Sequence, residues 1–75
     1  MPSLNDSSPG TTVRLIGIAP GGPENSRRRL REFGFVPGAD LTVVTRGATG
    51  GVLVGIGATR VALDADTAER MRCAR

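Results

Sequence analysis

The sequence has no lysine, histidine, tryptophan or tyrosine, and it has a single cysteine, Cys73. Without lysine there is no residue for a Walker-type phosphate site or a Schiff base. Without histidine, and with one thiol, the chain cannot assemble a catalytic triad, a Cys-His pair or a zinc site of ordinary ligand number. We therefore expect a protein that is not an enzyme and that holds no metal or cofactor of its own.

Long apolar runs and a secretory signal are also missing from the sequence. Residues 1–6 carry neither a basic region nor an apolar region, and the stretches 13–19 and 52–58 fall far short of the roughly 20 residues that span a bilayer. A lone cysteine forms no internal disulfide. These features predict a cytoplasmic protein that does not insert into the membrane.

The chain does contain enough apolar residues for one small domain. It has 75 residues, of which 39% are hydrophobic, and its Lys+Arg total of 10 against 7 acids gives a net charge of +3. All of the basic residues are arginine. This composition fits a single globular module with a small core.

Alternating apolar residues predict a mostly β fold. Residues 1–11 are rich in polar and turn-forming residues and predict a flexible tail ahead of a domain spanning 12–75. In the first strand, Val13, Leu15 and Gly17 are expected to share one face. The predicted strands cover residues 12–19, 41–46, 52–56, 60–63 and 71–74.

A helix is predicted between the first two strands, over residues 23–33. Leu30 and Phe33 lie three residues apart and are expected to face the core. Gly34 suits a left-handed C-terminal cap, which would place Phe35 against Leu30 in a Schellman motif. The following turn, Pro37-Gly38, has the residue preferences of type II.

The order of these elements predicts a small SH3-like barrel. It has about five antiparallel strands, the inserted helix, and a short helical turn before the last strand, where Asp66 and Glu69 have capping-box spacing. With strands this short, curling the sheet and closing it with the terminal strands is the economical way to remove exposed edges.

The densest charge in the sequence is the arginine run around Leu30. Arg27, Arg28 and Arg31 fit a solvated helix face, a surface for an acidic protein, or a nucleic-acid contact. Binding to single strands usually adds aromatic stacking platforms, and both phenylalanines are assigned to the core here. Nucleic acid is therefore the least favoured of the three interpretations, and no nucleic-acid partner is expected.

The run from Arg29 to Leu41 resembles the signature of the ferrous iron transport protein A (FeoA) family. Residues 61–73 look like the closing strand, helical turn and final strand of that family. The resemblance implies an SH3-like barrel with one inserted helix. It also implies an accessory role beside the membrane permease for Fe(II), whose cytosolic part is a GTPase domain and which would perform the metal chemistry.

On this resemblance we expect a module that binds and regulates the permease through protein–protein contacts. The alternatives are a basic SH3-like nucleic-acid-binding module and a stand-alone relative of the C-terminal domain of iron-dependent repressors. A proline-rich peptide is a poor ligand for a chain without Trp or Tyr. Charge and loop mobility suggest the contact residues, namely Arg27, Arg28, Arg31, Ala48, Thr49 and Gly50.

Overall fold

A computed structural model describes residues 3–74 of the chain and confirms the predicted order of strands and helices. A short 3-10 helix, Leu4–Asp6, precedes the first strand. The remaining elements are β1 (Thr12–Ile18), α1 (Glu24–Glu32), β2 (Asp40–Arg46), β3 (Val52–Ile56), β4 (Thr59–Leu63), α2 (Ala65–Arg70) and β5 (Met71–Ala74).

The strands form one antiparallel sheet in the order β4-β3-β2-β1-β5, which confirms a mostly β fold of five strands. Within the described residues β4 and β5 are not paired with each other, so backbone pairing between terminal strands does not close the sheet. The sheet curls around a core that receives the alternate residues of its strands. The largest fully buried side chains are Phe35, Leu4, Leu15, Leu41, Met71, Val43, Val54 and Cys73.

A bulge in β1 changes which of its residues face the core. The register of β1 against β5 shifts between Leu15 and Gly17, so the intervening Ile16 is the extra residue and is 40% exposed. An extra residue reverses the alternation of faces beyond it. Ile18 consequently packs against the core, and the expectation that Gly17 continues the face of Val13 and Leu15 is wrong.

A second bulge re-aims the end of β2. The register of β2 against β3 shifts between Val43 and Thr45, and Arg46 then lies opposite the buried Val52. Residues directly opposite each other in an antiparallel pair share a face. The bulge therefore turns Arg46 to the inner side of the sheet, at its end.

Arg46 there holds the N-terminal segment, which we define as residues 3–11. Its guanidinium donates hydrogen bonds of 2.8 Å to the carbonyl oxygens of Leu4 and Asn5, and it also donates to that of Ser7. Leu4 is fully buried in the core, and Ser3 forms an isolated bridge with Arg72 of β5. The expectation of a flexible tail is therefore corrected for residues 3–11, because Leu4 and Arg46 anchor this segment to the core. Met1 and Pro2 lie outside the described residues.

The N-terminal segment also changes the role expected for Glu69. The Glu69 carboxylate accepts hydrogen bonds from Ser3 Oγ at 3.3 Å and Asn5 Nδ2 at 3.0 Å. The N-cap of α2 is Asp64, which accepts from the Thr67 amide at 2.7 Å. The predicted capping box between Asp66 and Glu69 is therefore wrong.

The end of α1 follows its prediction. The Phe35 amide donates to the Leu30 carbonyl and the Gly34 amide donates to the Arg31 carbonyl, each at 3.0 Å, while Gly34 has a φ of +103°. These are the two bonds of a Schellman motif, and they deliver Phe35 to the core. The type II turn is confirmed by the hydrogen bond that the Ala39 amide donates to the Val36 carbonyl oxygen at 3.0 Å, and by the φ of +93° at Gly38.

Candidate functional site

Helix α1 lies beside the sheet, and most of the helix surface is exposed to solvent. None of its residues is fully buried, and Leu30 is its partly buried contact with the core. Phe33, the residue at its C-terminal cap, is 46% exposed. The expectation that Phe33 belongs to the core is wrong, because the Schellman turn gives that place to Phe35.

A groove runs between α1 on one side and β4 with α2 on the other. Its volume is about 410 Å³. We call it the α1–β4 groove. Its apolar lining comes from Ile18, Leu30, Phe33, Val61, Ala62 and Leu63, and its polar lining from Ser26, Arg27, Arg29, Asp64, Thr67 and Arg70.

The charge around the α1–β4 groove is predominantly positive. Arg27, Arg29 and Arg70 line the groove together with a single acid, Asp64, and Arg70 is also paired with Asp66 outside the lining. Hydrogen bonding by the side chain and then by the amide of Thr67 lowers the pKa of Asp64, so this carboxylate stays ionised and occupied as a helix cap. An apolar floor with a cationic rim favours a ligand that carries both apolar and acidic groups.

Arg70 connects α2 to the loop that leads into α1. It forms an ion pair with Asp66, and its own carbonyl accepts from the Ala19 amide at 2.8 Å. Its side chain passes beneath Gly21 and Gly22, where an added Cβ would lie 3.1 Å and 2.8 Å from its atoms. Arg70 therefore helps to set the distance between the two walls of the groove.

Sequence reasoning missed Arg70 as a site residue. Its signals were the i,i+4 spacing to Asp66, which predicts only a surface ion pair, and the Gly21-Gly22 pair, which predicts only a turn. The contact of the Arg70 side chain with Gly21 and Gly22 forms only when the chain is folded. Among the described residues, its buried Nε has no hydrogen-bond partner.

The predicted contact residues are spread over more than one surface. Arg27 lines the α1–β4 groove and also a smaller groove of about 170 Å³, which Arg31 lines as well. Arg28 is exposed and lines neither. Arg29, which was not among the predicted residues, is part of the larger groove.

The predicted loop residues Ala48, Thr49 and Gly50 are exposed and lie outside both grooves. The loop tip packs beside the start of α2, where a Cβ on Gly50 would lie 3.0 Å from that of Ala65. The arginines and the loop thus do not line a common groove, and their shared role stays a prediction.

Cys73 is buried, and its environment does not favour a reactive thiol. It is 1% exposed, and its Sγ lies 3.6 Å from the Met71 carbonyl oxygen. Burial raises the pKa of the Cys73 thiol, which lowers the fraction of nucleophilic thiolate. The position is that of a small apolar core residue.

Residues 3–74 contain no group of three or more Cys, His, Asp or Glu side chains placed to hold a metal ion. No helix in this part of the chain is long and apolar enough to cross a membrane.

A curled five-stranded sheet, an inserted helix and an arginine-rimmed apolar groove define a small SH3-like domain with a candidate docking surface. The FeoA domain family matches residues 3–75, and the chain belongs to that family. The match includes the N-terminal segment that packs against β5. No curated protein sequence matches the chain.

Solved structures support the same assignment. The zinc complex of FeoA from Stenotrophomonas maltophilia, described as a procaryotic SH3 domain protein, is 32% identical, with a TM-score of 0.81 over 97% of this chain and 89% of that one. An iron uptake regulatory protein (FeoA) crystal structure is 25% identical, with a TM-score of 0.80 over 96% and 92%.

A third solved structure with a similar fold belongs to a protein of a different functional class. A manganese-dependent transcriptional repressor has a TM-score of 0.84 to this chain at 22% identity. The match covers 97% of this chain but 40% of the repressor. At this identity the similarity shows a shared fold only.

Proposed function

We propose that this protein is a cytosolic accessory protein of ferrous iron uptake that binds and regulates the GTPase-containing Fe(II) permease. Its membership of the FeoA domain family supports this proposal, as does the similarity to the S. maltophilia protein, which is described as a candidate activating factor of ferrous iron transport. The protein would act by contact and would perform no chemistry of its own.

The observation that carries the proposal is the exposed apolar lining of the α1–β4 groove. Phe33 is 46% exposed in a chain with 2 phenylalanines and no other aromatic residue. Aromatic residues, including phenylalanine, and arginine are enriched in protein interfaces, and Arg27 and Arg29 line the same groove as Phe33. A partner that covers Phe33 would remove apolar surface from water and meet the positive rim.

Regulation requires the protein to bind one state of the permease better than another. Binding shifts an equilibrium only by the difference between the two affinities. Of the predicted contact residues, Arg27 would then add a charge-assisted contact within the α1–β4 groove, together with Arg29. Arg28, Arg31 and the loop 48–50 lie outside this groove and stay predicted contacts. A tenfold preference corresponds to about 1.4 kcal/mol, which a few such contacts supply.

The first test is capture of the detergent-solubilised permease by the tagged protein. Phe33→Ser should reduce capture about tenfold or more, because it removes the apolar anchor. Val36→Ser is the matched control, since Val36 is 43% exposed but does not line the α1–β4 groove. Equal loss in both variants, or in neither, would remove the groove from the interface.

The second test separates the groove arginines from the others on α1. The double substitution Arg27→Glu and Arg29→Glu should abolish capture, whereas Arg28→Glu, with the same change of charge sign at a position outside the groove, should retain most of it. Circular dichroism establishes that each variant stays folded. Failure of the wild-type protein to capture the permease would contradict the proposed function itself.

Nucleic-acid binding is a second candidate, because the exposure of Phe33 removes one argument against it. One phenylalanine beside Arg27 and Arg29 offers a stacking platform for a base. The test is fluorescence titration of single-stranded RNA over a range of salt concentrations. Neutralised phosphates would give a negative slope of log K against log salt, and absence of binding at low salt excludes this function.

A further inference from the structure

The outer edge of β4 lines one side of the α1–β4 groove and, within the described residues, is not paired with another strand. β4 is the terminal strand of the sheet, and within the described residues it pairs with β3 alone. Natural proteins usually cover, twist or shorten such an edge, because its free N–H and C=O groups accept another strand. The opposite edge of this sheet is covered by the N-terminal segment.

The register identifies the free backbone groups on this edge. Ile56 and Thr59 pair on either side of the two-residue turn at Gly57, whose φ is +58°. In such a hairpin the flanking residues are a hydrogen-bonded pair, and hydrogen-bonded and non-bonded pairs then alternate. The N–H and C=O groups of Arg60 and Ala62 therefore point away from β3, toward the free side.

The surroundings of this edge fit an added strand. Val61, Ala62 and Leu63 line the groove on one side, and Leu30 and Phe33 provide apolar surface on the other. A strand seated beside β4 would make main-chain bonds to one neighbour and place alternate side chains against the apolar lining.

The charges around the groove select the chemistry of that strand. Arg27, Arg29 and Arg70 border it; Arg70 is already paired with Asp66, and Asp64 is committed to the cap of α2. The side chain of Arg70 is 18% exposed, and its buried Nε lacks a partner among the described residues. Carboxylates on the incoming segment would meet these guanidinium groups, whereas a second copy of this chain would bring a net charge of +3 to an already positive groove.

We propose that the outer edge of β4 is a docking edge, and that an extended acidic segment of the partner adds to it as a sixth strand. The backbone of Arg60 and Ala62 supplies the new ladder bonds, and the arginines of the groove bind the carboxylates. This inference rests on the proposed function for the identity of the partner, and it concerns how that partner is recognised.

Amide hydrogen exchange measured by NMR gives a signature that other binding modes lack. On saturation with the soluble cytosolic part of the permease, exchange at Arg60 and Ala62 should slow by about tenfold or more, because both amides become hydrogen-bonded. Val61 and Leu63 already bond to β3 and should change by about twofold or less. This alternation along one strand distinguishes strand addition from general shielding.

A backbone substitution tests the same bond. Ala62→Pro removes an amide that faces the free side, a position where proline is tolerated on an edge strand, and it should weaken binding about threefold to tenfold. Ala62→Ser is the matched control, because it changes the exposed side chain and keeps the amide. If the proline variant does not fold, an amide-to-ester replacement at Ala62, made by chemical synthesis of the chain, removes only the N–H group.

The outcomes separate this inference from the proposed function. Binding of the permease part without protection of Arg60 and Ala62 overturns the docking edge and leaves the proposed function intact. If that part does not bind, a nonapeptide of alternating Glu and Val is the probe: protection of the two amides supports the edge, and no protection overturns it. Concentration-dependent protection in the protein alone would identify a second copy as the occupant and also overturn the acidic segment.

Discussion

Each edge strand of the sheet has backbone N–H and C=O groups that no neighbouring strand of the sheet pairs, and the chain treats its two edges in opposite ways. At β5 the chain covers its own edge: Ser3 bridges to Arg72 of that strand, and Leu4 enters the core. At β4 the chain leaves the edge open beside α1, which contributes no fully buried residue. The covered edge would then provide stability and the open edge would provide recognition, since a permanently satisfied strand has no free groups to offer a partner.

This division predicts that equal substitutions have unequal effects at the two edges. A small domain has a net stability of about 5–15 kcal/mol. A residue that closes the core through the β5 edge should therefore matter more to folding than a residue beside β4.

Leu4→Ala should produce the largest loss of stability. Leu4 is fully buried although it belongs to a segment that would be expected to be disordered, and a buried Leu→Ala substitution costs about 2–5 kcal/mol through lost transfer energy and the remaining cavity. Urea denaturation should show this change in the free energy of unfolding. Ser8→Ala, at an exposed position of the same segment, should change it by about 0.5 kcal/mol or less; a loss below about 1 kcal/mol for Leu4→Ala would mean that the segment is not part of the core.

Arg46→Met should produce the second largest loss. Its guanidinium is bonded to the carbonyl oxygens of Leu4, Asn5 and Ser7, and hydrogen bonds involving a charged group contribute roughly 1.5–3 kcal/mol. Methionine keeps the apolar stem and removes the donors. The free energy of unfolding should fall by about 2 kcal/mol, with Arg28→Met, at an exposed position, as the neutral control.

The coupling between these two substitutions tests whether they act on one structural unit. If Arg46 stabilises the protein by holding the segment that carries Leu4, the double variant should lose less stability than the sum of the single variants. Such non-additivity is expected for residues in one network. Strict additivity would contradict the proposed division of labour at the β5 edge.

Local patterns predicted most of the fold because the deciding interactions lie close together in sequence. The end of α1 depends on Leu30, Gly34 and Phe35, whose spacing is typical of a Schellman motif. The turn at Pro37-Gly38 is equally local. The strands were found from alternation, with ends that differ from the structure by at most one residue.

The wrong predictions concern interactions that leave no signal in the alternation of apolar and polar residues along the sequence. A bulge adds one residue and reverses the faces beyond it, so Ile18 turned inward and Arg46 reached the N-terminal segment. Leu4 had no apolar neighbour in sequence to mark it as part of the core. Phe33 and Phe35 compete for one position beside the sheet, and only the geometry of the helix stop decides which of them is buried.

The sequence predicted that the candidate site carries arginine side chains on α1, but it did not predict which residues line the groove. The arginine run pointed to α1, but periodicity could not show which arginines face β4, because the position of the helix against the sheet depends on the loop and on Arg70. The unpaired edge follows from strand order, which is a property of the whole chain. Edge strands are not marked by their own sequence when they are as short as β4.

Asp64→Ala should reduce stability by about 1 kcal/mol, the usual contribution of an N-cap. Asp64 caps α2 through the Thr67 amide, and hydrogen bonding by Thr67 lowers its pKa in the folded protein. A lowered folded pKa means that the contribution is complete above the unfolded value of 3.8 and is lost as the pH falls below it. Wild type and variant should therefore differ at pH 7 and converge in strong acid, and a difference that stays constant with pH would contradict a role for the ionised cap.

Arg29→Ala should have the smallest effect on folding and a clear effect on binding. Arg29 is an exposed arginine on the wall of the α1–β4 groove, so its removal should change the free energy of unfolding by about 0.5 kcal/mol or less. The affinity for the permease should fall and should depend less on salt, because a charge at the edge of an interface acts mainly through screened attraction. Arg46 and Arg29 carry the same guanidinium group, so a loss of stability above about 1 kcal/mol for Arg29→Ala would show that the open edge also supports the fold.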